Sequence, residues 1–352
     1  MSLAIKALAI LFLLLSQDVF SAIDPAQINK NKRVLILGLD GTTGNQFHQV
    51  VWKDNKAPVF RNLMSSGIFT YCETDHDPRC AKAHRGRRTG DGYLWLTGPG
   101  WASVLTGLDN GHHKVKDNQH DSLKQFASST KDFPTFMRVA KASGLKTAAA
   151  GVSAFITSHK EDEVVNGIID YECGALANGP NVNANAISSC NLDSRTSLNN
   201  KDGNRDVKLS DWFVSQIKNS DAHVIMGVFD KIDSAGHSYG FDSNSRYLKS
   251  ISETDALIGK VVAAAKESAK NKNEEWLVIV TSDHGGHRLF AWGMHGARDD
   301  EDEAIPFAVS LIGSEQKLKP LRYPVTHMDV FPTVMHWLEI NQKKRDGQIQ
   351  GF

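Results

Sequence analysis

The run VLILGL occupies residues 34–39 and is followed directly by Asp40 and Gly41. A short and almost continuous apolar run is typical of a strand that helices cover on both faces, as in a parallel sheet. Two later runs have the same character, HVIMGV at 223–228 and WLVIVT at 276–281. These three runs predict the centre of a buried parallel sheet.

Helical patterns separate the predicted strands. Apolar residues recur at helical spacing in residues 134–143, 209–218 and 252–266, and further strands are predicted at 146–151 and 306–312. This alternation predicts a doubly wound α/β fold, with a mostly parallel central sheet and helices on both faces.

Two local features refine this prediction. Ser252 and Asp255 have the spacing of a capping box, which predicts that a helix begins at Ser252. Residues 178–205 are rich in Asn, Ser and Gly, and they are predicted to form a long loop.

The chain has 352 residues and a formal net charge of zero. The composition is that of a globular protein, and the neutral balance argues against a nucleic-acid scaffold or a polybasic membrane binder. Affinity for an anionic ligand would therefore have to come from local features or from metal ions.

The N-terminus has the features of a secretory signal peptide. Lys6 precedes the apolar run at 7–15, and small residues suited to cleavage precede Ala22. We predict a signal peptide over residues 1–21, a single domain over residues 22–352 and no transmembrane span in the mature chain, with an uncleaved anchor as the alternative. The predicted location is extracytoplasmic, either periplasmic or secreted.

The cysteine content agrees with export. An even number of cysteines in an exported chain predicts disulfides, here two. The simplest of the three possible connectivities pairs Cys72 with Cys80 and Cys173 with Cys190.

Acidic and imidazole side chains follow each of the three buried runs. In open parallel sheets, ligands bind beyond the carboxyl ends of the strands. One such group at a strand end is commonly a turn or a helix cap, but three groups at the same edge predict a binding site. The side chains concerned are Asp40, Asp230, Asp233, His237, Asp283, His284 and, within GMHG, His295.

The stretch YLWLTGPGWASVLTG, residues 93–107, puts a hydroxyl group at the start of a predicted helix. Pro99 lies near the first helical position and Gly107 just past the last, so Thr97 lies where the helix begins. Free N–H groups and the positive end of the helix dipole favour an anion there. Thr97 is therefore either a helix cap or a nucleophile that attacks a bound anion.

Mixed Asp and His side chains are typical zinc ligands, with manganese and iron as alternatives. Six Asp and His residues together with Thr97 provide enough donors for two ions while positions stay open for a substrate. Two ions about 3.5–4 Å apart can stabilise both the attacking and the leaving oxygen of an in-line displacement. We therefore expect two divalent metal ions, Zn²⁺ foremost, and a Thr97 nucleophile.

The motifs VLILGLDG, LTGPGWASVLTG, FDKIDSAGHSYG, SDHGGH and MHG occur in the order found in the alkaline phosphatase superfamily. They most resemble its type I phosphodiesterase/nucleotide pyrophosphatase branch. The resemblance extends from Val34 to about Leu338 and implies one alkaline phosphatase-like catalytic domain with Thr97 as the nucleophile. It implies that one metal is held by Asp40, Thr97, Asp283 and His284, and the other by Asp233, His237 and His295.

The chain departs from this branch beside the nucleophile. The branch usually carries Asn three residues after the nucleophile, where it helps to bind a phosphoryl oxygen, whereas this chain has Gly100. The predicted substrate contacts are Gly98, Gly100, Trp101 and Arg88.

The resemblance implies a small-molecule phosphoester substrate, namely a phosphodiester or pyrophosphate, with nucleotides among the candidates. A phosphomonoesterase, a phosphonate hydrolase and a phosphotransferase are alternatives within the same superfamily. A metal-stabilised binding protein without turnover is a further alternative, which the complete set of predicted site residues disfavours.

Overall fold

The computed structural model describes residues 29–83, 95–151, 153, 156, 169–174, 204–296 and 299–352. In chain order, the strands within these residues are β1 (Lys32–Leu39), β2 (Ile68–Phe69), β3 (Ala81–Lys82), β4 (Thr147–Gly151), β5 (Tyr171–Gly174), β6 (Val224–Phe229), β7 (Glu275–Thr281), β8 (His287–Leu289), β9 (Trp292–Met294), β10 (Ala304–Ile305) and β11 (Phe307–Ile312).

Within the described residues, seven of these strands form the main sheet, in the order β2–β11–β7–β1–β6–β4–β5. β1 lies between β6 and β7 and is parallel to both, and β4 and β5 continue the parallel part beyond β6. β11 is antiparallel to β7, and β2 is antiparallel to β11. The predicted mostly parallel central sheet is confirmed.

Helices cover both faces of this sheet. They are α1 (Gly44–His48), followed by a π-helical turn (Gln49–Lys53), α2 (Pro58–Ser65), α3 (Thr97–Thr106), α4 (Asn110–His113), α5 (His120–Ser129), α6 (Phe136–Ala142), α7 (Asn204–Asn219), α8 (Lys231–Tyr239), α9 (Ser245–Lys272), α10 (Asp299–Glu303) and α11 (Val330–Trp337), with a 3₁₀ turn (His327–Asp329) before the last.

Alternate residues of β1 enter two different apolar cores. Val34 and Ile36 pack in the core that contains Trp101 of α3 and Phe331 of α11. The intervening Leu35 and Leu37 pack in the core that contains residues of α7 and α9. Because successive side chains of a strand point to opposite faces, this division shows that helices lie on both sides of the sheet.

The helix predicted at 252–266 begins earlier than the capping-box pattern indicated. α9 starts at Ser245, and the Asn244 side chain accepts a hydrogen bond from the Arg246 amide. Asp255 instead accepts hydrogen bonds from the amides of Val59 and Phe60, at 3.2 and 2.7 Å, and so caps the neighbouring helix α2. Burial raises the pKa of the Asp255 carboxyl to about 6.

Several predictions concern residues outside the described part of the chain. The predicted signal peptide and residues 178–203 of the predicted long loop belong to this group, whereas Asn204 and Arg205 are the first residues of α7. Among the described residues, no helix is both long enough and apolar enough to span a bilayer.

The predicted pairing of Cys72 with Cys80 is present as a disulfide. Cys173 is also disulfide-bonded, and its predicted partner, Cys190, lies outside the described residues. Both sulfurs of the Cys72–Cys80 bridge belong to buried side chains that pack against Ala304, the first residue of β10.

Removal of the Cys72–Cys80 bridge should destabilise the fold. The bridge closes a loop with a sequence separation of 8, and the chain-entropy estimate for such a loop is about 2–3 kcal/mol. The Cys72→Ala/Cys80→Ala double variant should therefore lower the free energy of unfolding in urea by about that amount. An unchanged urea midpoint would contradict this expectation.

Candidate active site

The three central parallel strands deliver carboxylates to one edge of the sheet. Asp40 directly follows β1, and its amide donates a 2.9 Å hydrogen bond to the Phe229 carbonyl at the end of β6. Asp283 lies two residues beyond β7. Asp233 lies in the first turn of α8, the helix that follows β6. The parallel pairing of β6, β1 and β7 therefore determines that these three side chains meet.

Of the four residues predicted as ligands of one metal, three surround the fourth, His284. Its Nε2 atom lies 3.4 Å from Thr97 Oγ1, 3.6 Å from Asp40 Oδ1 and 3.4 Å from Asp283 Oδ2. The His284 and Asp283 side chains are fully buried. The structure thus brings the whole first group together.

The three residues predicted as ligands of the other metal also form a cluster. Nε2 of His237 lies 3.4 Å from Asp233 Oδ2, one helical turn away in α8, and 3.1 Å from Nε2 of His295. Asp233 Oδ1 lies 3.8 Å from His295 Nε2. The two clusters are adjacent, because the His284 and His295 rings stack with their centroids 3.8 Å apart.

Backbone carbonyls fix the orientation of all three imidazoles. Nδ1 of His284 donates to Gly285 O at 2.7 Å, Nδ1 of His295 to Trp95 O at 2.8 Å, and Nδ1 of His237 to Gly293 O at 3.2 Å. A carbonyl oxygen only accepts, so each Nδ1 carries a hydrogen and each Nε2 atom is the one that faces the site. This arrangement is the usual support of a metal-bound histidine.

The carboxylates lack hydrogen-bond donors on the atoms that face the cluster. Within the described residues, Asp40 Oδ1, Asp233 Oδ1 and Asp283 Oδ2 are buried and have no hydrogen-bond partner. Burial, with repulsion from the neighbouring carboxylates, raises the pKa of Asp40 and of Asp283. Burial lowers the pKa of His284 and of His295. Buried carboxylates facing neutral imidazoles form a donor set that fits divalent cations.

Thr97 does not cap helix α3. It is the first residue of the helix, and the residue at the preceding N-cap position, Leu96, makes no side-chain capping hydrogen bond. The Thr97 hydroxyl instead faces His284. Gly100 permits this arrangement, because a Cβ atom there would lie 2.6 Å from the Asp283 carbonyl oxygen. The absence of a side chain at position 100 lets α3 approach the Asp283 loop.

The predicted substrate contacts differ in their surroundings. Trp101 is fully buried, and its indole N–H donates to Asp40 Oδ2 at 3.4 Å, so it supports a predicted ligand and has no surface to offer a substrate. The Gly98 amide donates to the side-chain oxygen of Asn118 at 2.6 Å. Arg88 lies outside the described residues.

Asn118 is a residue of this site that the sequence analysis did not identify. It lies in an exposed loop, and its contact with Gly98 places its amide group beside the residue that follows Thr97. No motif marks it, because its relevance arises only when the loop folds back onto the start of α3.

Asp302 is the second such residue. Its Oδ1 accepts from His287 Nδ1 and its Oδ2 from the Gly296 amide, both at 2.7 Å, and its main-chain oxygen accepts from the Gly285 amide at 2.7 Å. The fully buried Asp302 side chain thereby joins the segment after His284 to the segment after His295. In the sequence it is hidden in the acidic run DDEDE, which resembles a solvated helix face.

The sequence profile of the type I phosphodiesterase/nucleotide pyrophosphatase family matches residues 34–290. The chain belongs to this family. The match begins within β1, extends past β7 and contains all of the predicted site residues except His295. No curated protein sequence matches the chain.

Solved structures share the fold of this phosphodiesterase family member. Human ectonucleotide pyrophosphatase/phosphodiesterase 5 aligns with a TM-score of 0.60 at 14% identity, over 90% of this chain and 97% of that one. The murine counterpart, an inactive threonine-to-alanine variant in complex with AMP, aligns at 0.59 and 13%, over 90% and 97%. BT1596, a 2-O GAG sulfatase, aligns at 0.59 and 15%, over 90% and 73%.

The two Asp/His clusters predict how many metal ions the protein holds. We expect two divalent metal ions per chain, Zn²⁺ foremost, because the two clusters offer two separate groups of ligand atoms. His237→Ala and His284→Ala should each lose about one ion, and elemental analysis of the folded, unchelated protein measures this. A wild-type content near zero would refute the metal assignment.

Asp302→Asn should weaken metal binding without unfolding the protein. Asparagine keeps only one acceptor oxygen, so it cannot accept from both His287 and Gly296. Losing such support typically costs about 10–100-fold in metal affinity or activity. Competition with a chelator measures the affinity. Asp300→Asn is the matched control in the same helix, because Asp300 is exposed and pairs only with His76 among the described residues.

Proposed function

We propose that this protein is an extracytoplasmic phosphodiesterase or nucleotide pyrophosphatase that uses two divalent metal ions and Thr97 as its nucleophile. The observation that carries the proposal is the position of the Thr97 hydroxyl, at the start of α3 and 3.4 Å from His284 Nε2, beside carboxylate oxygens that have no hydrogen-bond partner among the described residues. Membership of the phosphodiesterase family supports the reaction class.

The proposed reaction consists of two displacements at phosphorus. Thr97 Oγ1 loses its proton to solvent and forms a bond to phosphorus while the bond to the leaving alcohol oxygen breaks, and that oxygen takes a proton from solvent. A water oxygen then attacks phosphorus while the bond from phosphorus to Thr97 Oγ1 breaks; the water loses a proton to solvent, Oγ1 takes one up, and the phosphomonoester product leaves. Divalent ions held by the two Asp/His clusters would favour ionisation of the Thr97 hydroxyl and neutralise charge on the phosphoryl oxygens.

The start of α3 suits the phosphoryl group. The first amides of a helix have no intrahelical acceptor, and the helix dipole favours negative charge at this end. The Gly98 amide already donates to the Asn118 side-chain oxygen. The Asn118 side-chain NH₂ group can therefore donate to a phosphoryl oxygen held next to Thr97. In this proposal, the Asn118 contact replaces the one that the branch usually makes through an Asn at the position of Gly100.

Two findings support the finer parts of the proposal. The murine relative is inactive as a threonine-to-alanine variant and is seen in complex with AMP, which favours a threonine nucleophile and a nucleotide-sized phosphoester here. The Cys72–Cys80 disulfide favours an oxidising, extracytoplasmic compartment.

Thr97→Ala should abolish turnover while the fold is retained. Thr97 is the first helical residue of α3 and does not occupy its N-cap position, so its removal should change stability by less than the loss of a cap, which costs about 0.5–2 kcal/mol. Loss of the nucleophile should reduce kcat for a chromogenic phosphodiester by at least about 10³-fold, equivalent to about 4 kcal/mol on the barrier.

Thr97→Ser is the matched control for this experiment. Serine keeps an oxygen at the same position, so measurable turnover should return with unchanged metal content. If Thr97→Ala hydrolysed the diester at a rate near that of the wild type, the nucleophile would lie elsewhere.

Asn118 substitutions should affect substrate binding and the transition state. Asn118→Ala removes the donor and should lower kcat/KM by about 10–100-fold, the usual effect of losing one such contact. Asn118→Asp has the same shape but places a negative charge beside the bound phosphoryl group, so it should lower kcat/KM further, and more strongly at low ionic strength. Steady-state kinetics at two salt concentrations separates these effects, and wild-type kinetics in Asn118→Ala would exclude the contact.

A further inference from the structure

The loop that carries Asp40 is tied to other parts of the molecule through every amide from Asp40 to Thr43. We call residues 39–43 the Asp40 loop. The Asp40 amide donates to the Phe229 carbonyl at 2.9 Å, the Gly41 amide to Asp283 Oδ1 at 3.3 Å, the Thr42 amide to Ser282 Oγ at 3.0 Å and the Thr43 amide to the Tyr247 hydroxyl oxygen at 3.0 Å. All four acceptors lie outside the loop, so its position depends on them.

Ser282 continues the connection between β1 and β7 beyond the end of their main-chain pairing. The last pair of residues in this ladder is Gly38–Thr281. Immediately after it, Ser282 Oγ lies 2.5 Å from the Leu39 carbonyl oxygen and 2.7 Å from the His284 carbonyl oxygen. Ser282 is fully buried, and its hydroxyl hydrogen can bond either carbonyl while its oxygen accepts from the Asp40 loop. This one hydroxyl thus joins the loop to the segment of His284.

Tyr247 of α9 holds the other end of the Asp40 loop. Its hydroxyl donates to the Gly41 carbonyl at 2.9 Å while it accepts from the Thr43 amide. Burial raises the pKa of the Tyr247 hydroxyl, so this group keeps the hydrogen that it donates. The Tyr247 ring is fully buried and packs edge to face against Phe241, with centroids 5.5 Å apart. We call Ser282 and Tyr247 the hydroxyl clamp.

The Asp40 loop takes part in both Asp/His clusters. Asp40 Oδ1 lies 3.6 Å from His284 Nε2, and a Cβ atom on Gly41 would lie 2.5 Å from Asp233 Oδ1. Asp40, Asp233 and His284 each offer one ligand atom, and these atoms lie within 4.8 Å of one another. A displacement of the loop would therefore change the donor geometry at the place where the two clusters meet.

Repulsion between carboxylates acts against this arrangement. Asp283 and Asp233 both lie close enough to Asp40 to raise the pKa of its carboxyl. The Asp40 loop must be held against this repulsion until a cation is bound. A lysine or arginine could hold it, but such a group would compete with the metal for the carboxylates. Two neutral hydroxyls hold the main chain of the loop without adding charge to the site.

We propose that Ser282 and Tyr247 are positioning residues, which hold Asp40 at the distance from Asp283 and His284 that a bound metal ion requires. This inference rests on the proposed function. It adds two residues that act on the main chain of the Asp40 loop and are not themselves ligands. The clamp thereby sets the affinity for the ion of the His284 cluster, the group formed by Asp40, Thr97, Asp283 and His284.

Retention of Zn²⁺ by the metal-loaded protein, against increasing chelator concentration, tests this inference. The wild type should release its two ions in two steps, and the step that is missing in His284→Ala identifies the ion of the His284 cluster. Ser282→Ala and Tyr247→Phe should each weaken the affinity for that ion by about 10–100-fold, the usual effect of losing a group that supports a ligand. The other ion should be retained as in the wild type. Tyr247→Phe removes only an oxygen and keeps the ring that packs against Phe241.

Ser310→Ala is the matched control, because it removes a buried hydroxyl that has no contact with the Asp40 loop. Ser310 lies in β11 opposite Val278, and its Oγ donates to the Leu63 carbonyl at 2.5 Å. Its loss should lower the urea midpoint as a lost buried hydrogen bond does. Both zinc affinities should stay at the wild-type values.

The outcomes separate the clamp from the proposed function. A wild type that retains no zinc refutes the proposed function, and the clamp with it. If the wild type binds two ions and hydrolyses a chromogenic phosphodiester, but neither Ser282→Ala nor Tyr247→Phe weakens binding at the His284 cluster, the clamp alone is refuted. The clamp is also refuted if Ser310→Ala weakens zinc binding equally, because the loss would then reflect general destabilisation.

Discussion

Negative charge buried at the end of three parallel strands is the constraint on which the rest of this structure depends. The carboxylates of Asp40, Asp233 and Asp283 face one another with oxygens that lack hydrogen-bond partners among the described residues. Such a cluster is unfavourable by itself, as the raised pKa values of Asp40 and Asp283 show. It is compatible with a stable fold when cations occupy it, because the attraction then offsets the cost of burial. The apolar sheet beneath it supplies the rigidity that keeps the carboxylates together.

Close backbone approach is the second requirement, and two glycines meet it. Gly41 has φ of 60°, and a Cβ atom there would lie 2.5 Å from Asp233 Oδ1, so only glycine lets α8 bring Asp233 beside the end of β1. Gly100 plays the same part for α3 and Asp283. Gly41 and Gly100 thus determine how closely the carboxylates and Thr97 can approach one another.

The sequence predicted those parts of the molecule that depend on local pattern. The apolar runs located β1, β6 and β7 to within a residue or two, because burial on both faces leaves a continuous apolar signature. Likewise, Gly107 ends α3 in a left-handed conformation, as the Pro-to-Gly pattern indicated. Contacts between distant segments were not predictable. Asp255 caps a helix almost two hundred residues away in sequence, with a separation of 196 from Val59, and Asn118 acquires its partner only through a loop that folds back.

The division between strand ends and hairpin explains how one fold can serve different substrates. The chain shares its fold with a pyrophosphatase/phosphodiesterase and with a sulfatase at similar TM-scores, so the fold cannot select the substrate. The Asp and His side chains at the strand ends are suited to any tetrahedral, anionic ester. Selection must therefore come from residues other than these ligands. The β8–β9 hairpin connects the segment of His284 to His295; its residues His287 and Gly293 are buried, whereas Phe290, Trp292 and Met294 are exposed. The exposed positions can change without altering the Gly293 carbonyl that accepts from His237, so the hairpin sequence can vary while the positions of the predicted ligands are kept.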